Sequence, residues 1–172
     1  YDVELAWLSG MLHDVGRFEQ IKRYNTFSDA DSVDHAKFGA DLLFKDGLIS
    51  TFLNGMVKCT GYKPGALEDR YSSDGVFLYD RLNKSDMEML ELTIRCHNMY
   101  RIPQGLNRRE QAFCNVLRDA DKVDIFKVNI DTPLEEIYNT TTEELMKSDI
   151  TDEVLEAFGE EHCILKAIRR TP

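Results

Sequence analysis

The sequence predicts an all-α protein, and three observations carry that prediction. Helix starts are legible: Ser85-Asp86-Met87-Glu88, Asn107-Arg108-Arg109-Glu110 and Thr132-Pro133-Leu134-Glu135 each set a capping residue three positions before a glutamate. Pro133 also takes a first helical position, where its missing N–H costs nothing. Apolar residues recur at helical spacing, as in Leu5, Leu8, Met11, Leu12 and Val15. Nowhere does a clean apolar–polar alternation run far enough to make a strand.

The expected helices cover 3–15, 32–45, 48–58, 85–99, 109–128, 133–138, 141–147 and 151–168. In the first, Gly16 reads as the terminator, which leaves His13 and Asp14 in the last turn. In the second, His35 shares a face with Phe38, Gly39 and Leu42. Gly39 there costs about 1 kcal/mol relative to alanine, which implies close packing or room for a site. Lys63 to Lys84, with Pro64, Gly65 and Ser72-Ser73-Asp74-Gly75, reads as a long connection. Such a segment is either a lid or an inserted surface loop. Met87, Leu90, Ile94 and His97 form the seam of the 85–99 helix. Phe113, Leu117, Asp121 and Val128 form a stripe on the next one. Thr151 caps the last helix, with Asp152 and Glu153 in its first turn.

At 172 residues the chain is long enough for one domain with its own core. That core is expected over 1–130, with 131–172 a helical extension of the same domain. The composition, 42% hydrophobic and 30% charged, is that of a soluble globular protein. A net charge of −10 argues against extended nucleic-acid binding, since a phosphate backbone would be repelled over most of the surface. No membrane span or signal peptide is visible. Cys59, Cys96, Cys114 and Cys163 form no CxxC pair, so neither a zinc cluster nor a disulfide framework is expected. The reading is therefore cytoplasmic. The chain opens already inside a helical pattern and looks like an internal piece of a longer polypeptide.

Four places carry chemistry. His13 and Asp14 point about 100° apart on a helix, yet both can reach one cation beyond its end. An imidazole nitrogen and a carboxylate oxygen suit iron, manganese, zinc or nickel; a dipole-stabilised histidine beside a solvated aspartate is the plainer alternative. His35 looks inward and can equally be a satisfied core histidine. His97 takes a core position, where each ring nitrogen needs a partner, and a metal plus an acceptor would supply both. Asp121 sits on an apolar stripe, and an unpaired buried carboxylate is strongly unfavourable. It needs a cation, or a salt bridge from Arg118 or Lys122. His162 reads as ordinary surface. Three inward histidines and one inward aspartate on four helices together match a metal site embedded among helices.

Met11-Leu12-His13-Asp14-Val15-Gly16, followed later by Ala120-Asp121-Lys122-Val123-Asp124, resembles the HD superfamily of phosphohydrolases. The resemblance spans roughly residues 1 to 128. It implies an HD-domain helical bundle with a metal site in its core, and a further histidine ligand some tens of residues upstream of the doublet. The implied ligands in this chain are His13, Asp14 and Asp121. His35 and His97 resemble the extra histidines of dinuclear members such as the HD-GYP phosphodiesterases and the inositol oxygenase branch. The implied cofactor is one or two divalent ions (Mn, Fe, Mg, Ni or Zn), and the implied substrate a small phosphate ester, nucleotide or related. Asp14 would bridge two ions. Arg17 is a candidate for holding the substrate phosphate, or else an exposed ion pair with Glu19, and Lys122 and Arg95 are weaker candidates. Oxidation at a dinuclear iron centre and non-catalytic nucleotide sensing are the alternative functions.

Overall fold

A computed structural model describes residues 2–59, 82–138, 140–160 and 164, and every regular element among them is helical. The order is α1 (Asp2–Leu12), α2 (Val15–Tyr24), α3 (His35–Ala40), α4 (Leu48–Cys59), α5 (Lys84–Cys96), α6 (Arg108–Asp131), α7 (Leu134–Tyr138), α8 (Thr142–Met146) and α9 (Asp152–Gly159). α3 continues into a π-helical turn, Asp41–Lys45, closed by Asp46 N–H donating to the Asp41 carbonyl at 3.0 Å. The chain divides into two units, 1–121 and 122–172, and α6 supplies residues to both. No helix among the described residues is long and apolar enough to cross a membrane.

The first unit is built on α1, α3, α4, α5 and the start of α6. Leu5, Leu8 and Leu12 bury one stripe of α1 against Leu43, Ile49, Leu90, Ile94 and Phe113. Each such leucine or isoleucine contributes about 1.5–3 kcal/mol by leaving water. α3 packs on both α2 and α5, which places His35 between them.

α1 stops earlier than its spacing predicts. The break falls at His13-Asp14, and Gly16 does not terminate a helix but lies in the first turn of α2. A Cβ on Gly16 would stand 2.2 Å from the His35 carbonyl oxygen and 2.7 Å from the Gly39 nitrogen, and one on Gly39 would stand 2.9 Å from the Gly16 nitrogen. The two glycines are thus where α2 and α3 touch backbone to backbone, and close packing is the reason for Gly39. α2 itself is absent from the expected helix map. Its buried residues are Gly16 and Gln20, neither of which contributes to an apolar stripe.

Other boundaries shift for local reasons. α3 starts at His35 because Asp34 caps it, its Oδ1 accepting the Lys37 N–H at 3.2 Å. α5 is capped by Asn83 rather than Ser85. Asn83 Oδ1 accepts the Asp86 N–H at 3.0 Å while Asp86 Oδ2 accepts the Asn83 N–H at 3.2 Å. The buried Asp86 carboxylate also takes Arg109 Nη1 at 2.9 Å, tying the start of α5 to α6. Asn107 caps α6 as its spacing predicts, accepting the Arg109 and Glu110 N–H groups while Glu110 Oε2 accepts its own. Most of the expected 63–84 connection lies outside the described residues.

In the second unit none of the described residues is buried. Val128, expected on the stripe of Phe113 and Leu117, is 39% exposed. Thr141 and Glu144 form a reciprocal capping box at α8. The helix expected over 151–168 is described only as α9, and His162 and Cys163 lie outside the described residues.

Candidate metal centre

The first unit gathers His13, Asp14, His35, His97 and Asp121. His13 and Asp14 occupy the turn between α1 and α2, His35 opens α3, His97 closes α5, and Asp121 lies on α6. One ligand atom from each of His13, Asp14 and His97 lies within 4.8 Å of the others. Asp14 Oδ1 is 3.3 Å from His35 Nε2 and 3.5 Å from His97 Nε2, while its Oδ2 is 3.7 Å from His13 Nε2. His13 Nε2 is also 3.6 Å from Asp121 Oδ1. His35 and His97 bring their Nε2 atoms to 3.1 Å, and the His13 and His97 rings meet edge-on with centroids 4.9 Å apart.

Each ring is held from behind through Nδ1. His13 Nδ1 donates to the Gly10 carbonyl at 2.6 Å, His97 Nδ1 to the Ile94 carbonyl at 2.7 Å, and His35 Nδ1 to the Asp29 carboxylate at 2.7 Å. Carbonyl and carboxylate oxygens can only accept, so each Nδ1 carries a proton. In the neutral ring Nε2 then keeps its lone pair. Each of the three Nε2 atoms lies within 3.7 Å of an Asp14 carboxylate oxygen. Acceptors at these separations repel unless a proton or a cation lies among them, and the donor set of imidazole nitrogens and carboxylate oxygens fits a transition-metal ion.

The electrostatics favour the ligating form at Asp14 and at His35, and the protonated ring at His13. Burial alone would favour neutral Asp14, but hydrogen bonding to His97 and the charges of His13, Arg17 and His35 outweigh it and lower its pKa. Burial and the Arg17 cation lower that of His35, against the pull of Asp29 and Asp14. For His13, burial is outweighed by Asp121, the Gly10 carbonyl and Asp14, and its pKa rises. A neutral His35 and an ionised Asp14 are the forms that ligate.

Arg17 faces this cluster and not Glu19. Its Nε lies 3.5 Å from Asp14 Oδ1 and its Nη1 donates to the Phe27 carbonyl at 2.9 Å, whereas Glu19 is taken by Arg23 at 2.7 Å. Arg95 turns away, pairing Asp41 and Glu91 at 2.7 Å each. Arg118 donates to the Tyr100 carbonyl. Lys122 belongs to the second unit and is exposed. Asp119 is exposed, while Asp121 is half-buried beside His13.

Three residues of the surroundings escaped the sequence reading: Asp29, Gln20 and Asn98. Gln20, fully buried, donates through Nε2 toward Asp29 Oδ1, Ser32 Oγ and the Val33 carbonyl, each at 2.9 Å. Its Oε1 is buried without a partner among the described residues. That costs about 1–3 kcal/mol, yet the opposite amide orientation would set this oxygen against the acceptors of Asp29 and Val33. Asn98 Nδ2 reaches Asp34 Oδ1 at 3.0 Å and Asp29 Oδ2 at 3.4 Å. Glutamine and asparagine give no periodic signal, and Asp29 sits in a run of look-alike acids with Asp31 and Asp34.

No protein-family model matches the chain, and the curated proteins and solved structures compared with it include no significant match.

Proposed function

We propose that this chain is a metal-dependent phosphohydrolase of the HD type, acting in the cytoplasm on a small phosphate ester, a nucleotide or related compound. The observation that carries the reading is the convergence of three Nε2 lone pairs on the Asp14 carboxylate. His13, Asp14 and Asp121 would hold one divalent ion, and His35 and His97 a second, with Asp14 between them. The Asp14 oxygens face different histidines, Oδ1 toward His35 and His97 and Oδ2 toward His13, which supports a bridging role. Imidazole ligands favour manganese, iron, nickel or zinc over magnesium, which prefers an all-oxygen octahedron.

A divalent ion there would supply Lewis acidity, acidifying a water and polarising a phosphoryl oxygen. The chain's own residues do the rest. Asp14, Asp121 and the three imidazoles fix where that chemistry happens. Arg17, 32% exposed on its side chain, can turn from Asp14 to a phosphate oxygen while the Phe27 carbonyl still holds its Nη1.

Metal analysis of the purified protein, followed by a screen of phosphatase and phosphodiesterase substrates, tests the reading. Manganese at about a hundredfold above its Kd should stabilise by about 2.7 kcal/mol, a rise in Tm of roughly 5–10 °C at this chain length. Asp14→Ala should abolish both the rise and turnover. Turnover that needs oxygen would replace hydrolysis with oxidation, and metal binding without turnover of any phosphate ester would leave a sensing domain.

A further inference from the structure

Two of the three imidazoles are oriented by helix backbone, and the third is not. His13 and His97 stand at helix C-termini, where the last carbonyls lack intrahelical partners and are free to accept from a ring N–H. His35 stands at the first position of α3, a helix N-terminus, which offers donors and no acceptor. A histidine there must obtain its Nδ1 acceptor from elsewhere. It obtains it from Asp29, six residues upstream, whose two oxygens lie 2.7 and 2.8 Å from Nδ1, with one of them 3.4 Å from the His35 backbone nitrogen.

Asp29 is itself braced from three directions. Gln20 of α2 donates to Oδ1, Asn98 beyond α5 donates toward Oδ2, and Arg17 brings its guanidinium to 3.8 Å. The Gln20 amide orientation that leaves Oε1 without a partner is the one that delivers Nε2 to this carboxylate. The segment from Asn25 to Asp34 is tied down at both ends by the same groups, Arg17 at the Phe27 carbonyl and Gln20 at the Val33 carbonyl.

We infer that Asp29 is the positioning residue of the centre: it fixes His35 as the Nδ1–H tautomer, with the Nε2 lone pair aimed at Asp14 and His97. This rests on the metal-centre reading for its consequence, but not for the tautomer itself, which the metal-free protein must already show. Asp29 touches no reacting atom and acts only through His35.

The test uses the whole chain, in wild-type, Asp29→Ala and Asp29→Asn forms. Long-range 1H–15N spectra of the metal-free protein report the tautomer of each of the four histidines, with His35→Gln identifying the His35 signals. Cobalt(II) titration reports affinity and the ligand-field spectrum, and thermal melting reports the fold. Asp29→Ala should melt cooperatively, show His35 as a mixture of tautomers, and bind cobalt about 10–100-fold more weakly, the usual cost of removing a ligand's outer partner. Asp29→Asn retains an amide oxygen that can accept from Nδ1 and should recover part of both. If the alanine variant does not fold, the asparagine variant carries the test, with an intermediate shift in tautomer population expected. A His35 ring still wholly Nδ1–H in both variants, with wild-type cobalt affinity, overturns the inference. A wild-type protein that binds no cobalt sinks the metal-centre reading alone, because the tautomer result still decides the role of Asp29.

Discussion

His13 and His97 on one side and His35 on the other reach the same volume by different means. At the ends of α1 and α5 the imidazole folds back onto the carbonyl three residues earlier, Gly10 or Ile94, so the bond is local and is made of main chain. At the start of α3 the ring depends on a side chain from a separate segment, and that segment depends on α2 and on Asn98. The difference teaches that a helix terminus dictates what a histidine can do there. C-termini supply the acceptor that leaves Nε2 free, and N-termini demand that something else supply it.

The comparison breaks most readily at the contact between α2 and α3, which sets the distance from Asp14 to His35. Gly16→Ala drives a Cβ to 2.2 Å from the His35 carbonyl oxygen, against backbone that cannot rotate away. Overpacking of this kind costs about 1–3 kcal/mol or more, read as a lower urea midpoint. It should also weaken cobalt binding, since α2 and α3 must part. An unchanged midpoint would mean that the two helices do not meet there.

A smaller effect is expected at the cap that starts α3. Asp34→Ala removes the acceptor of the Lys37 N–H and should cost about 1 kcal/mol near neutral pH. Lys37 and Asn98 outweigh the cost of burial and hold the Asp34 carboxyl down at about 2. A depressed folded pKa stabilises above the unfolded value, near 4, and that stabilisation is lost as pH falls toward about 2. The difference in stability between wild type and variant should therefore narrow across that window. A difference that stays constant down to pH 2 would locate the stabilisation elsewhere.

The smallest effect sharpens the contrast from the other side. Gly10 gives His13 only its carbonyl, and a Cβ there meets nothing within 4 Å. Gly10→Ala should raise stability by about 0.5–1 kcal/mol through helix propensity and leave metal stoichiometry unchanged. Loss of metal in that variant would show that His13 is not oriented by the main chain.

The helices and the inward residues were legible because helical spacing sets His35, His97 and Asp121 on apolar faces, and those faces are buried or half-buried. What was not legible follows from chemistry that has no period. α2 buries a glycine and a glutamine, so no apolar stripe announces it, and Gly16 reads as a terminator because nothing in the sequence shows Gly39 approaching it. Both Asn83 and Ser85 stand three residues before an acid, and only the buried pairing of Asp86 with Arg109 selects Asn83. Helical spacing extends the stripe of Phe113 and Leu117 to Val128, but among the described residues burial along α6 ends with the first unit. Asp29 could be told from Asp31 and Asp34 only by a fold that brings it to His35.

The main-chain anchors have a consequence for how this centre tolerates divergence. Every amino acid carries the same carbonyl, so positions 10 and 94 can drift, within what packing allows, without turning the rings of His13 and His97. Their orientation is inherited with the helices themselves. The orientation of His35 is inherited as a single residue, and a lineage that loses the carboxylate at position 29 must find another acceptor for that ring or give up the ring with it.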